Sequence, residues 1–387
     1  MSGKPRPLDR PLCTPGVLVM LAVMGAGGVA LLTRFSAGIG AVANMDNANP
    51  WGLWIAVDVA SGVALAAGGF TTAFLAHILG RHRYEPIIRP ALLTAALGYT
   101  FVAFGVFVDI GRSWAIWKPI FFQNHSSALF EVAMCVMAYV TVLWLEFLPV
   151  IAERFQEKIK ILAFLNRNLG KTMWFLTILG VVLSCMHQSS LGTLMLIAPN
   201  KMHALWYTPI LPLLFLTSAL AVGYPMVILE TTLATTSLHL DPEMDVLEPL
   251  SRFILITLGL YMLLKVGDLV LRGASTHLWA GDAQSLYFGV EFGLGVLLPW
   301  ILLAFPSVRR SRRGLFISAC LIVGGVLLNR INVFLVAYTP PVAGSNYHPT
   351  VAEILITAGC IATLMFLYRL FVTYLPVLSA QKQEVTS

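Results

Sequence analysis

Runs of 18 or more apolar residues, each bounded by charge, proline or a polar turn, recur about ten times along this chain. As a helix such a run crosses about 30 Å of hydrocarbon. The runs lie at about 16–38, 51–79, 90–111, 127–150, 172–195, 209–233, 251–271, 286–305, 314–338 and 351–375. They are continuous rather than alternating, and a segment facing lipid must satisfy its own backbone groups, so helices are expected rather than barrel strands. Composition agrees, with 58% hydrophobic and 11% charged residues against about a quarter charged in soluble domains. A soluble enzyme is excluded. The expected fold is an all-α polytopic membrane protein of about ten transmembrane helices, with residues 1–387 forming a single integral membrane domain.

A net charge of +6 would suggest nucleic acid in a soluble protein. Here the bases sit between apolar runs, as topology demands, and no nucleic-acid partner is expected. Of the 25 Lys and Arg residues, 17 fall in one alternating set of connections and termini: Lys4, Arg6 and Arg10, the clusters 81–89, 154–171 and 309–313, Arg252 and Lys382. The opposite set holds only Arg112, Lys118, Lys201 and Arg272. The positive-inside rule places both termini in the cytoplasm, in a bacterial inner membrane. Ala41-Val42-Ala43 resembles a signal cleavage site, yet the preceding apolar stretch exceeds the roughly 7–15 residues of a signal peptide. An uncleaved first span is expected.

An internal repeat is visible. Glu131 opens the fourth run and Glu291 lies near the start of the eighth, 160 residues apart; Asp109-Ile110-Gly111 ends the third run, and Lys265-Val266-Gly267-Asp268 lies late in the seventh. Four helices separate the copies, so the repeats share an orientation. The expected organisation is a first span at 16–38, two parallel-related four-helix bundles at 51–195 and 209–338, and a last span at 351–375.

A charge near the bilayer centre costs about 3 kcal/mol on insertion scales, so each acid inside a run requires a reason. Seven qualify: Asp58, Asp109, Glu131, Glu146, Glu230, Asp268 and Glu291. Asp58, Asp109 with Arg112, Glu131 and His187 reach a similar depth near the outer end of the first bundle, close to Trp51, Trp54 and Trp114. Asp109 and Arg112, three residues apart, suit a structural ion pair. The remainder suit a pocket for an amphiphilic ligand, with Trp54, Asp58, Arg112, Glu131 and His187 as its candidate lining. Glu146 follows Glu131 by 15 residues, about 22 Å along the helix. With Tyr99 between them and Glu230 on the sixth run, these acids form a candidate proton path. The connection between the sixth and seventh runs, with Asp241, Glu243, Asp245 and Glu248, would be its collecting surface.

The five cysteines, Cys13, Cys135, Cys185, Cys320 and Cys360, contain no C-x-x-C pair, which argues against an iron–sulfur cluster or structural zinc. Only His187 of the eight histidines lies deep in a run, and His77 is near a run's inner end. Two axial haem ligands at one depth are therefore not expected.

The segments Pro50-Trp51-Gly52-Leu53-Trp54-Ile55-Ala56-Val57-Asp58, Arg89-Pro90-Ala91-Leu92-Leu93, Asp109-Ile110-Gly111-Arg112, Leu129-Phe130-Glu131 and His187-Gln188-Ser189-Ser190-Leu191-Gly192 together resemble the NrfD/PsrC family of membrane subunits. Within that family the resemblance is greatest to the subunits of hydrogenase-2 type complexes, and it covers nearly the whole chain. It implies a quinone-reactive subunit with no redox cofactor of its own and none covalently bound, using menaquinone or ubiquinone as substrate. The implied partners are a periplasmic ferredoxin-like iron–sulfur subunit and the large and small subunits of a nickel–iron hydrogenase. It also implies a quinone pocket in the first bundle, near the periplasmic side. The second bundle has Asn329-Arg330 where a counterpart of His187 would stand, which argues against a second pocket. The competing class is a secondary transporter, which also uses repeats and midplane acids. Transporter sites, however, often lie between inverted repeats on broken helices.

Overall fold

The computed structural model describes residues 5–8, 11–197, 199–240, 243–339 and 347–379. Ten helices are long and apolar enough to cross a membrane: α1 (Pro15–Ala37), α2 (Trp54–Ile78), α3 (His82–Asp109), α4 (Ala128–Phe155), α5 (Lys160–Leu196), α6 (Leu211–Ser237), α7 (Met244–Leu271), α8 (Ala283–Ala304), α9 (Arg312–Val336) and α10 (Val351–Tyr374). The chain is a multi-pass membrane protein. Helix starts follow local chemistry. Ser127, Asp282 and Ser311 cap α4, α8 and α9 with their side-chain oxygens, and Thr350 with Glu353 forms a reciprocal capping box on α10. The expected start of α5 at 172 is corrected to Lys160. Its first three turns mix Lys160, Asn166, Arg167, Asn168 and Lys171 with apolar residues, so a count of continuous apolar residues starts the helix too late.

Helices α2 to α5 close into one bundle: α3 packs on α2 and α4, and α5 on α4 and α2. In the second bundle α6 packs on α7 and α9, and α8 on α7 and α9. Contacts of α6 with α2 and α5, and of α9 with α2, join the two. Helices α2 and α6 are accordingly the most enclosed, with 78% and 72% of their apolar windows buried. Helix α1 pairs with α10, and α10 leans on α3. That pairing is close because a Cβ at Gly27 would stand 2.8 Å from the Leu355 carbonyl oxygen and 2.9 Å from Gly359 Cα. Small residues permit such backbone approach where lipid offers no hydrophobic gain.

Helix α2 is irregular, with π-helical turns over Trp54–Ser61 and Phe74–Ile78. Such turns re-aim side chains and are frequent at functional sites. Here the first turn carries Trp54 and Asp58. Lys4, Arg10, Asp241 and Lys382 of the charge reading lie outside the described residues.

Candidate functional site

The structure divides the expected pocket residues into two groups. Trp54 and Asp58, four residues apart, share the face toward α1, α3 and α10. Trp54 is fully buried among Ala30, Val108 and Ile356, and its indole N–H has no hydrogen-bond partner. Asp58 Oδ2 accepts a 2.7 Å hydrogen bond from the Thr357 hydroxyl on α10. Its Cβ packs at Gly105 of α3, where an added Cβ would stand 3.1 Å away. Asp109, with Oδ1 unpartnered, lies in the same electrostatic neighbourhood as Arg34, Glu353 and Asp58.

The expected Asp109–Arg112 pair is corrected. Arg112 is exposed and takes part in no ion pair among the described residues. The reason is conformational: α3 ends at Asp109, and Ile110 adopts an extended backbone (φ −65°, ψ 122°), so the i, i+3 spacing of a helix no longer applies. The cation near Asp109 is Arg34 of α1, which donates to the carbonyls of Val108 and Ile110 at 2.8 Å each. These are orphan acceptors at the end of α3.

The second group lies inside the first bundle. His187 is fully buried, and neither ring nitrogen has a hydrogen-bond partner. Its ring lies 5.5 Å from that of Tyr99, which meets Tyr139 edge-on at 4.4 Å. The Tyr99 hydroxyl, the Ser184 hydroxyl and Gln188 Oε1 are buried within reach of one another but form no well-aligned hydrogen bond, while Gln188 Nε2 donates to the Val63 carbonyl at 2.7 Å. Buried polar groups are seldom left unpaired, so such a cluster in one bundle marks a place built for something other than packing. Glu131 is exposed at the outer end of α4 and accepts a hydrogen bond from Ser190 of α5. Trp114 is 75% exposed on the α3–α4 connection, and Trp51 packs against Phe334 of α9.

From Tyr139 a cavity of about 360 Å³ extends toward the base-rich end of the bundle, past Glu146 and Thr177, to Arg89 and Glu153. The latter two form a 2.8 Å ion pair. Of the expected proton-path residues, Glu146 lines this cavity, and Tyr99 touches its inner wall through Tyr139. Glu230 does not line it. It lies between Thr94 of α3 and Tyr368 of α10.

In the second bundle the charged groups have close partners, although Asn332 Oδ1, Arg330 Nε and Ser318 Oγ are buried without one. Glu291 is paired with Lys265 and accepts hydrogen bonds from Trp206 at 2.8 Å, Asn329 at 2.7 Å and Asn332 at 2.8 Å. Arg330 lies 3.7 Å over the Phe215 ring and donates to Asn329 and Ser218. Asp268 accepts from Thr208 and Arg272. The position repeating Glu131 is thus filled by an internal ion pair.

Residues 41–341 match the family described as Polysulphide reductase, NrfD. The chain belongs to the NrfD family. It is 33% identical to the probable Ni/Fe-hydrogenase 2 b-type cytochrome subunit of Escherichia coli (strain K12), over 99% of this chain and 97% of that one. A protein of Nitratidesulfovibrio vulgaris (strain Hildenborough) is 37% identical over 96% of each chain. The integral membrane subunit of menaquinone reductase from the same organism is 28% identical over 91% of this chain and 89% of its own. In this NrfD-family chain His187 lies beside the Tyr99 ring, and His77 lines the wall of the cavity that contains Glu146.

Arg34, Thr357, Tyr139 and Ser184 were not among the expected site residues. Arg34 alone carried a signal, as a cation inside an apolar run.

Proposed function

We propose that this NrfD-family chain is the quinone-reactive membrane subunit of a respiratory hydrogenase complex, holding no haem or cluster of its own. Electrons reach it from an iron–sulfur subunit, itself served by a nickel–iron hydrogenase, docked at the base-poor end, which is read as periplasmic. The observation that carries the reading is the set of unpaired polar groups around His187 in an apolar bundle, in a chain whose relatives include hydrogenase and menaquinone reductase membrane subunits. Reduction of a quinone takes two electrons and two protons and yields the quinol. In this reading the head group enters the first bundle past the start of α4, with Glu131 and Arg112 at its mouth and Trp54 and Asp58 at its edge toward α1 and α10. His187 donates a hydrogen bond to one quinone oxygen, and Asp58, held by Thr357, is a proton donor at the pocket's edge rather than a direct contact of that oxygen. The transporter reading fits less well, because the unpaired groups around His187 lie within the first bundle rather than between the repeats.

The purified chain, free of partners, is expected to bind a hydroxyquinoline oxide at one site per chain, detected by quenching of the inhibitor's fluorescence, and to show no Soret absorption. Absence of binding would reject the quinone reading. Stoichiometric haem would reject the cofactor-free one.

The protons are proposed to come from the base-rich end, read as cytoplasmic. The cavity past Glu146 covers much of the separation from that end, and Tyr139 and Tyr99 continue the line to His187. Glu131 then stands at the outer end of the same helix as the junction with the pocket. Glu146→Gln keeps shape and hydrogen bonding but exchanges no proton. In proteoliposomes of the whole complex it is expected to slow hydrogen-driven charge separation about tenfold or more, within the range of a lost proton-transfer group. Full quinone reduction by the parent complex without a membrane potential would end the inner path.

A further inference from the structure

At the base-rich end, away from the proposed quinone site, the α2–α3 turn and the start of α7 enclose an open concavity of about 490 Å³. Gly80, with φ +63°, ends α2 in a left-handed conformation suited to glycine, and Arg81, His82 and Arg83 follow it at once. Arg81 and Arg83 are exposed, line the concavity with Arg252, and make no ion pair or side-chain hydrogen bond among the described residues. His82 is engaged with Glu85 at 2.8 Å, and Arg252 with Glu248 at 3.2 Å. Two guanidinium groups thus remain free in one cup. The cup is rigid, because the Tyr84 ring is buried beneath it and meets Phe253 edge-on at 6.2 Å.

Below the cations the lining becomes apolar. Ile256 is 68% exposed, and Leu260 and Leu263 continue the same face down α7 at 47% and 70%. On the α2 side, Ile78 and Leu79 are similarly exposed. A ligand matching this surface is anionic at one end, with room for phosphate oxygens among planar guanidinium donors, and carries hydrocarbon directed along the helices. A free anion would use the cations and leave the apolar strip unexplained. A zwitterionic lipid would place its own ammonium group among the arginines.

We infer that the cup formed by Arg81, Arg83 and Arg252 over Tyr84, Phe253 and Ile256 binds the head group of an anionic phospholipid, with its acyl chains lying along α7. The inference does not depend on the quinone reading, since these residues belong neither to the pocket nor to the proton path. Its physical content is the attraction of basic residues at a membrane surface to anionic lipid, about fivefold in affinity for each base.

The test uses the full-length chain in a neutral detergent, titrated with fluorescently tailed phosphatidylglycerol or phosphatidylcholine of the same acyl length. Phosphatidylglycerol is expected to bind about tenfold tighter or more. Arg81→Gln combined with Arg83→Gln is expected to weaken it about 30-fold, the product of two such bases. Arg81→Lys with Arg83→Lys keeps the charge and should stay within a few-fold of the parent; lipid binding retained by that variant shows that the glutamine variant's loss is one of charge rather than of folding. Equal binding of the two lipids, or an unchanged affinity in the glutamine variant, would overturn the inference. So would displacement of phosphatidylglycerol by inorganic phosphate well beyond that by chloride at matched ionic strength, which would assign the cup to a free anion.

Discussion

His187→Ala is expected to leave the complex assembled while hydrogen-to-quinone activity falls by about 100-fold or more, the usual loss when a positioned proton-exchanging or hydrogen-bonding group is removed. Assembly should survive because His187 forms no hydrogen bond in the folded chain. Truncation therefore strands no partner and leaves only a void, at a cost of about 2–5 kcal/mol on the scale of core truncations. Asp58→Asn should behave alike, since its amide oxygen can still accept from Thr357 but the group no longer exchanges a proton. Hydrogen oxidation with an artificial dye that bypasses the membrane should continue at the parent rate in both variants. Loss of assembly would show that these residues serve the fold, and undiminished quinone activity would remove both from the pocket.

The second large effect is expected in the other bundle and on stability alone. Lys265 and Glu291 are buried together, and the carboxylate is surrounded by Trp206, Asn329 and Asn332. Lys265→Met leaves that carboxylate in an apolar bundle without its counter-charge. Breaking one half of a buried pair costs about 3–5 kcal/mol, or a fall of roughly 5 °C in the unfolding midpoint for a chain of this size. Lys265→Met with Glu291→Gln removes both charges and retains an amide for the neighbouring donors, and should recover much of the loss. Thermal unfolding of the purified chain measures both, while hydroxyquinoline oxide binding should stay at the parent affinity. A Lys265→Met chain as stable as the parent would mean that the pair contributes little.

The ten spans were legible because lipid imposes a length on every helix that crosses it, and the polar turns between them leave few alternatives. Asp58 and His187 were legible as ionisable groups inside apolar runs. Their separation, Asp58 against α10 and His187 inside the bundle, was not, because it depends on which helix each one packs against. The Asp109–Arg112 expectation failed for a local reason, the end of α3 between them. Arg34 and Thr357 were out of reach for a different one: their partners lie 74 to 76 and 299 positions away in the chain, and spacing rules speak only to neighbours. The expected repeat pairs Glu131 with Glu291, yet one is exposed and accepts from Ser190 while the other is enclosed by a lysine and three neutral donors. Equivalent positions therefore need not keep equivalent chemistry.

The hydrogen bond from Thr357 to Asp58 joins the last span to the second. In a nascent chain Asp58 is made when nearly the whole protein has yet to be synthesised, and it enters the bilayer without its hydroxyl partner. A loosely held carboxyl can rest protonated and neutral in lipid, so the second span can insert early without a charge to bury. Its orienting partner arrives only when α10 docks against α3 beside α1. Completion of the Asp58 side of the site is thereby tied to completion of the chain, and a ribosome product truncated before the tenth helix would hold His187 and the inner cavity without an oriented Asp58.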